Sequence, residues 1–399
     1  MRSRLWPLYA GGLLGPFGGA MVTTMLPELA EGLHTSLATA ASSLTVYLVP
    51  FAAIMLVSGT LAEHWGRART IRWAYLVYAL ASLACALAPT AATFLGARAI
   101  QGAANAFTTP LLVAAISDLV GPTRLGRSLG VFGGMQAAGQ AFAPLVGGIA
   151  AALDYRWAFV SAAAAAALLG AVPPADQAPT QSATTATTVT ADTTDDAASR
   201  LFSAARWRPL ANRRLALACS VAFGLYLTTS GLNLLSALLA HDRFDLGPDQ
   251  RGLVVASFGL AGLLTGPRFG RLADRVGMTR FGVVVSLLFA AVVAATAYTP
   301  SVALLVLAVA AGGAASTAGR LTSTTLAVTS TPGNRAGATS MTLAWQFLGS
   351  ALAPVALLPL YHRSVGWGFA ATASGAVLAA VLLAGAPGLN RTLRRSAAR

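Results

Sequence analysis

Stretches of roughly 20 apolar residues recur from one end of this chain to the other, and that is the length an α-helix needs to cross the hydrocarbon core of a bilayer. No other property constrains the fold as tightly. Twelve such stretches consume about 240 residues, which fits within a chain of 399. The composition agrees. Apolar residues make up 56%, charged residues 10%, and mean hydropathy is +0.66, whereas a water-soluble domain carries about 25% charged residues. A soluble enzyme, a secreted disulfide scaffold and a disordered chain are excluded on these grounds. The expected fold class is an all-α membrane protein of twelve transmembrane helices.

The apolar runs place helices at 5–29, 38–60, 71–88, 91–119, 128–152 and 156–172, then at 214–240, 250–269, 280–298, 301–329, 338–360 and 365–386. Between the two sets, Pro173–Ser199 is poor in bulky apolar residues and carries Asp176, Asp192, Asp195 and Asp196, so it cannot bury a core of its own. The chain therefore reads as a six-helix bundle at 1–172, a linker at 173–213, a second six-helix bundle at 214–386 and a basic tail at 387–399. Arg2 and Arg4 ahead of an apolar run invite comparison with a signal peptide. The run continues to about Leu26, too long for the apolar region of one, and is read as a retained first helix.

Net charge is +14, and all 27 basic residues are arginine. With a cytoplasmic N-terminus, 21 arginines fall on the cytoplasmic side and four outside (Arg156, Arg243, Arg251, Arg363), with Arg98 and Arg320 inside helices. This asymmetry is the positive-inside rule. It puts both termini in the cytoplasm of a cell whose plasma or inner membrane holds the chain, and it accounts for the basic balance without nucleic acid. Cys85 and Cys219 lie far apart in apolar runs, so neither a disulfide framework nor a metal site is readable. No metal and no cofactor are expected.

An internal repeat supports the division into halves. Gly59-Thr-Leu-Ala-Glu63-His-Trp-Gly66 matches Gly270-Arg-Leu-Ala-Asp274-Arg275-Val-Gly277 at an offset of 211. Gln136, Gly139, Ala143 and Pro144 match Gln346, Gly349, Ala353 and Pro354 at 210, as Trp157-Ala-Phe159 matches Trp367-Gly-Phe369. Parallel six-helix repeats of this kind build rocker-type carriers. In the 59–69 loop, glycines permit sharp turns and the acid can pair with Arg67 and Arg69 or cap a helix end, making a charged latch that must break for the halves to rock. The loop resembles the G-x-L-a-D-r-x-G-r-k-r signature of the major facilitator superfamily; the second copy, with Arg275 and Arg280, matches it more closely. The first copy departs in Glu63 and His64. The resemblance also assigns Asp118 to the latch.

Two further segments carry the resemblance. Arg98-Ala-Ile-Gln101-Gly102, followed by Asn105, is similar to the R-x-x-q-G pattern of the fourth helix, which in the family is linked to energy coupling. Arg98 lies about 10 Å into its helix at 1.5 Å per residue, where an arginine is costly unless paired or wet, so it serves coupling or else snorkels to the outer interface. Gly130, Gly139, Ala143, Pro144, Gly147 and Gly148 follow the G-x8-G-x3-G-P-x2-G-G pattern of the twelve-helix drug–proton antiporter branch, with Ala143 in place of glycine. Gly139, Ala143 and Gly147 recur every four residues and make a groove for close helix contact, with a kink at Pro144.

Arg320 has no counterpart in the first half and stands about 14 Å from the inner end of its helix at 1.5 Å per residue, near the midplane where carriers hold cargo. It either meets an anionic group or acidic partner, or bonds to neighbouring carbonyls. Arg98, Gln101, Asn105, Gln136, Gln140, Tyr226, Asn233, Arg320, Trp345 and Gln346 are the candidate cavity residues, although helix-to-helix hydrogen bonding is the commoner use of such groups. Trp345 offers an aromatic face suited to a lipophilic cation.

The resemblance implies an exporter of small lipophilic drugs or metabolites, working as a monomer by proton-coupled alternating access. The residues themselves give coupling thin support. Glu28 and Asp118 sit at helix ends, Glu63, Asp274 and the histidines (His34, His64, His241, His362) fall in expected loops, and no lysine exists to serve an ATP-binding loop. Two alternatives stay open: a symporter importing a sugar or organic anion, which Arg320 favours, and a non-transporting receptor on the same scaffold. No Ser/His/Asp or Cys/His arrangement points to an enzyme.

Overall fold

The computed structural model describes residues 2–120, 122–172, 212–330 and 335–385. Most of the expected linker and the basic tail lie outside the described residues, as do the side chains at Gly59, Glu63, Asp118, Gly130, Gly270 and Asp274. Fourteen α-helices make up the described chain: α1 (Arg2–Ala20), α2 (Leu26–Gly32), α3 (Leu37–Trp65), α4 (Arg67–Leu87), α5 (Ala91–Asn105), α6 (Thr108–Leu119), α7 (Pro122–Leu153), α8 (Arg156–Ala171), α9 (Arg213–Phe244), α10 (Pro248–Val276), α11 (Met278–Thr296), α12 (Val302–Ser330), α13 (Arg335–Arg363) and α14 (Val365–Ala384). They form twelve spans, because α1 and α2 together make the first and α5 and α6 together the fourth. Among the described residues nine segments are long and apolar enough to cross a bilayer. The broken first span, the short α8 and the charge-bearing α10 complete the set.

Both breaks have a proline as their cause. The first span, expected to be continuous over 5–29, passes through a 3₁₀ turn at Met21–Thr24. Pro27 has no N–H to offer the Thr23 carbonyl, and its ring clashes with that carbonyl in a straight helix. Thr23 and Thr24 hydroxyls instead donate to the Ala20 and Met21 carbonyls. The fourth span, expected as one helix over 91–119, breaks at Ala106 and Phe107. Pro110 plays the same part there against the Ala106 carbonyl. The helices also outrun the apolar pattern at their ends, so His64, His241 and His362 belong to final helical turns rather than loops.

Gly66 and Gly277 show why the repeated loop needs glycine. Each joins two helices as a lone residue, with φ of +87° and +93°, a conformation that side-chain-bearing residues rarely adopt. The halves also repeat in their closest helix crossings. A Cβ at Gly102 would overlap the Tyr47 backbone, and one at Gly313 would overlap Phe258, at an offset of 211 in both partners. Gly139 against Leu13 and Gly349 against Phe223 repeat at 210. Two pseudo-symmetric six-helix bundles result.

Across the molecule the bundles meet along α7 with α10 and along α3 with α13. Because successive spans run in opposite directions, one face of the protein carries Glu28 and the starts of α3 and α10, and the other carries Gly66 and Gly277. These are called the Glu28 end and the Gly66 end.

Candidate functional site

Between the bundles lies a cavity of about 120 Å³, lined from the first half by Tyr47, Phe51 and Gln140 and from the second by Tyr226, Thr229, Ser230, Asn233, Phe258 and Phe347. A second lobe of about 20 Å³ shares Gln140, Tyr226, Thr229 and Phe258 and ends at Ser316, Thr317 and Arg320. The walls are aromatic with a few hydroxyls and amides, and among the described lining residues no carboxylate occurs. Thr229 and Ser316 hydroxyls bond at 2.7 Å. The Asn233 Oδ1 is buried without a partner. A larger groove of about 680 Å³, lined by Trp65, Trp73, Ile100 and Phe107, lies within the first half alone, on a face where Trp73 and Ile100 are exposed. It does not lie between the halves, so the central cavity is the candidate site.

Of the expected cavity residues, Gln140, Tyr226, Asn233 and Arg320 come together in the two lobes. Arg98, Gln101 and Asn105 do not reach them. Arg98 is 0% exposed, lies under the Tyr47 ring at 4.2 Å, and donates through Nη1 to the Gly18 carbonyl at 3.0 Å and to Gln101 Oε1. Gln101 donates on to Ser82 at 2.7 Å. Asn105 donates to the Gly15 carbonyl at 2.7 Å and to the Tyr47 hydroxyl at 2.6 Å. The snorkelling alternative for Arg98 therefore fails: its side chain turns into the bundle. Tyr47 is the link, since one face covers this network and the ring also lines the cavity. Gln136 bonds to Thr109 at 3.5 Å. Gln346 is buried away from the cavity lining. Trp345 is 39% exposed and meets Phe223 edge-on, so its aromatic face is not offered to the cavity.

The small-residue pattern of α7 divides its work between two neighbours. Gly139 and Gly147 face the Leu13 and Met21 backbones of the first span, with Ala143 fully buried, and the Pro144 carbonyl accepts from Thr24 at 3.1 Å. Gly148 faces α10: a Cβ there would overlap the Pro248 carbonyl, and one at Gly252 would press on Pro144 and Leu145. Main chain therefore meets main chain between the halves at the Glu28 end.

A charged pair strengthens the same seal. Arg251 of α10 pairs with Glu28 of α2, and the two carry side-chain exposures of 1% and 24%. Each keeps one buried polar atom without a partner, Arg251 Nε and Glu28 Oε2. Thr45 donates to the Ala351 carbonyl, and Phe51 meets Phe347 edge-on at 4.4 Å, closing α3 on α13. By sequence Arg251 counts among the four arginines on the outer side, with no partner assigned. A single sequence carries no signal that would have joined it to an acid more than two hundred positions away.

Fold and site together define a multi-pass membrane protein of two halves with a cavity between them. The chain belongs to the Major Facilitator Superfamily, whose family model matches residues 8–354 and 219–397. Among curated relatives it is 34% identical over 174 residues to the puromycin resistance protein of Streptomyces alboniger, covering 42% of this chain and 35% of that one. It is 32% identical over 150 residues to the methylenomycin A resistance protein of Streptomyces coelicolor, covering 37% and 31%. The chain thus matches about a third of the length of these relatives. Solved structures of similar fold include the nucleoside transporter NupG, at a TM-score of 0.74, 16% identity and coverage of 96% of this chain and 99% of that one, and a D-xylose–proton symporter at 0.71, 16%, 95% and 96%.

Proposed function

We propose that the chain is a secondary transporter exporting small lipophilic drugs or metabolites by proton-coupled alternating access, without a cofactor. One observation carries the reading: the cavity is built from both halves and is sealed at the Glu28 end by contacts between them, so a tilt of one half against the other would open it there. The arginine asymmetry makes the Gly66 end cytoplasmic, with both termini on that side of the cell membrane, and the Glu28 end external. The moving bodies are 1–172 and 214–386, tethered by 173–213, and the cavity is complete within one chain, as a working monomer requires. A volume of about 120 Å³ falls below the roughly 300–1,000 Å³ of small-molecule sites, so cargo loading needs the cytoplasmic side to open.

The cytoplasmic lock in this scheme is the repeated motif, Gly59, Glu63, Gly66, Arg67 and Arg69 with Asp118, and Gly270, Asp274, Arg275 and Gly277. The external lock is Glu28 with Arg251. Loss of this pair would leave Arg251 buried without a counter-charge, which favours opening outward. The antibiotic-resistance names of the relatives support export.

Everted membrane vesicles test the proposal. An inward-acidic pH step should drive dye into them, and a host stripped of its own exporters should gain drug tolerance with this chain. Uptake of a sugar or organic anion into intact cells would instead favour the symporter. Absence of flux for every compound, with Glu63→Ala and Asp274→Ala altering a signal, would favour the receptor.

A further inference from the structure

Arg98 and Arg320 both stand well inside spanning helices with no ion pair among the described residues, but only Arg320 borders the central cavity. Arg98 is enclosed by a backbone carbonyl, a glutamine oxygen and an aromatic face, with no exposed surface, although only its Nη1 is hydrogen-bonded and its Nε and Nη2 have no partner. Arg320 borders the small lobe of the cavity and is only partly buried. Among the described residues it has no ion pair, and its neighbour is the Tyr226 hydroxyl. A guanidinium near the bilayer midplane without a carboxylate is expensive, and the α12 end at Ser330 is about 15 Å away at 1.5 Å per residue, too far for the side chain to reach bulk water.

Resting on the export reading above, we propose that the cargo itself supplies the missing charge. It is an aromatic or aliphatic molecule bearing one compact oxyanion, a carboxylate or a phosphate-type group, which Arg320 takes in the small lobe. That lobe, about 20 Å³, holds one water-sized group, so an oxygen of the oxyanion sits there while the apolar body lies between Tyr47, Phe51, Phe258 and Phe347. The unpartnered Asn233 Oδ1 accepts from an N–H or O–H elsewhere on the cargo. A lipophilic cation, by contrast, would meet Arg320 with like charge and find no carboxylate among the described lining residues.

Three probes with one ring system separate these cases: dansylglycine, its methyl ester and dansylethylenediamine, titrated by fluorescence against the purified full chain. The carboxylate should bind roughly tenfold or more tighter than the ester, as a charge-assisted pair in a low-dielectric site allows, and the amine weakest. Arg320→Gln should bring the carboxylate-to-ester ratio to about one, and Arg320→Lys should keep part of the preference. Unchanged melting temperatures establish that both variants fold; where Arg320→Gln does not, the wild-type ratio and Arg320→Lys decide. Equal binding of ester and carboxylate, a preference for the amine, or a ratio that survives Arg320→Gln overturns the inference. Failure of all three to bind, while everted vesicles still take up a neutral drug, overturns it too and leaves export standing. Absence of flux for every compound sinks export itself.

Discussion

Deleting either partner of the Glu28–Arg251 pair should have unequal consequences. Arg251 is 1% exposed, so Glu28→Ala strands a buried cation whose Nε already lacks a partner. Breaking a buried pair in this way costs roughly 3–5 kcal/mol. Glu28 is 24% exposed, so in Arg251→Ala the carboxylate turns to water, and the loss falls toward the ~1 kcal/mol of a surface pair. The cost falls on the sealed conformation alone, and about 3 kcal/mol shifts a two-state balance by a factor of ~150. Ser230→Cys reports the balance, because Ser230 lines the cavity. Cys85 and Cys219 are buried and are replaced by alanine to remove background. A membrane-impermeant maleimide added to intact cells should label the parent slowly, Glu28→Ala about a hundredfold faster and Arg251→Ala a few-fold faster. The double variant, having no stranded charge, should behave like Arg251→Ala. Equal effects of the two single changes, or additive effects in the double, would refute the reasoning.

Other substitutions probe the packing. Gly148→Val places a side chain on the Pro248 carbonyl, so it should force the halves apart at the Glu28 end, raising Ser230→Cys labelling and stopping flux. Gly139→Ala meets the Leu13 backbone and should lower the melting temperature of the purified protein, whereas Gly133→Ala, with open space around its Cβ, should raise it slightly, by about 0.5–1 kcal/mol of stability. Arg98→Ala removes the group beneath Tyr47 and leaves the Gly18 carbonyl and Gln101 Oε1 without that donor, at about 1–3 kcal/mol for each stranded group, so it should reduce folded yield in membranes, measured by fluorescence-detected size exclusion.

Span number, the two-fold repeat and the family were legible because each rests on local signals: apolar runs, and motifs recurring at 210–211. Glycine spacing in α7 likewise announced close helix contact, and the structure supplies the partners, the first span and α10. What sequence could not give was direction. Tyr47 and Phe51 sit on α3, whose central stretch is apolar on nearly every side, so periodicity does not separate a cavity-facing ring from a core one. Arg98 carried a motif and Arg320 did not, yet only the fold reveals that Arg98 is enclosed in the first bundle while Arg320 borders the cavity. Pro27 and Pro110 were visible, yet whether a proline bends a span or interrupts it depends on what its neighbours can bond to. At the first span the answer lay in Thr23 and Thr24, whose hydroxyls turn back on the chain.

Where α7 crosses α10, glycines let carbonyl and Cα atoms of opposite halves touch with no side chain between them. Substitutions around Tyr226, Asn233 or Arg320 can therefore remodel what the cavity accepts while the bearing surface keeps its shape. In such a machine new chemical tastes can evolve without redesigning the axle.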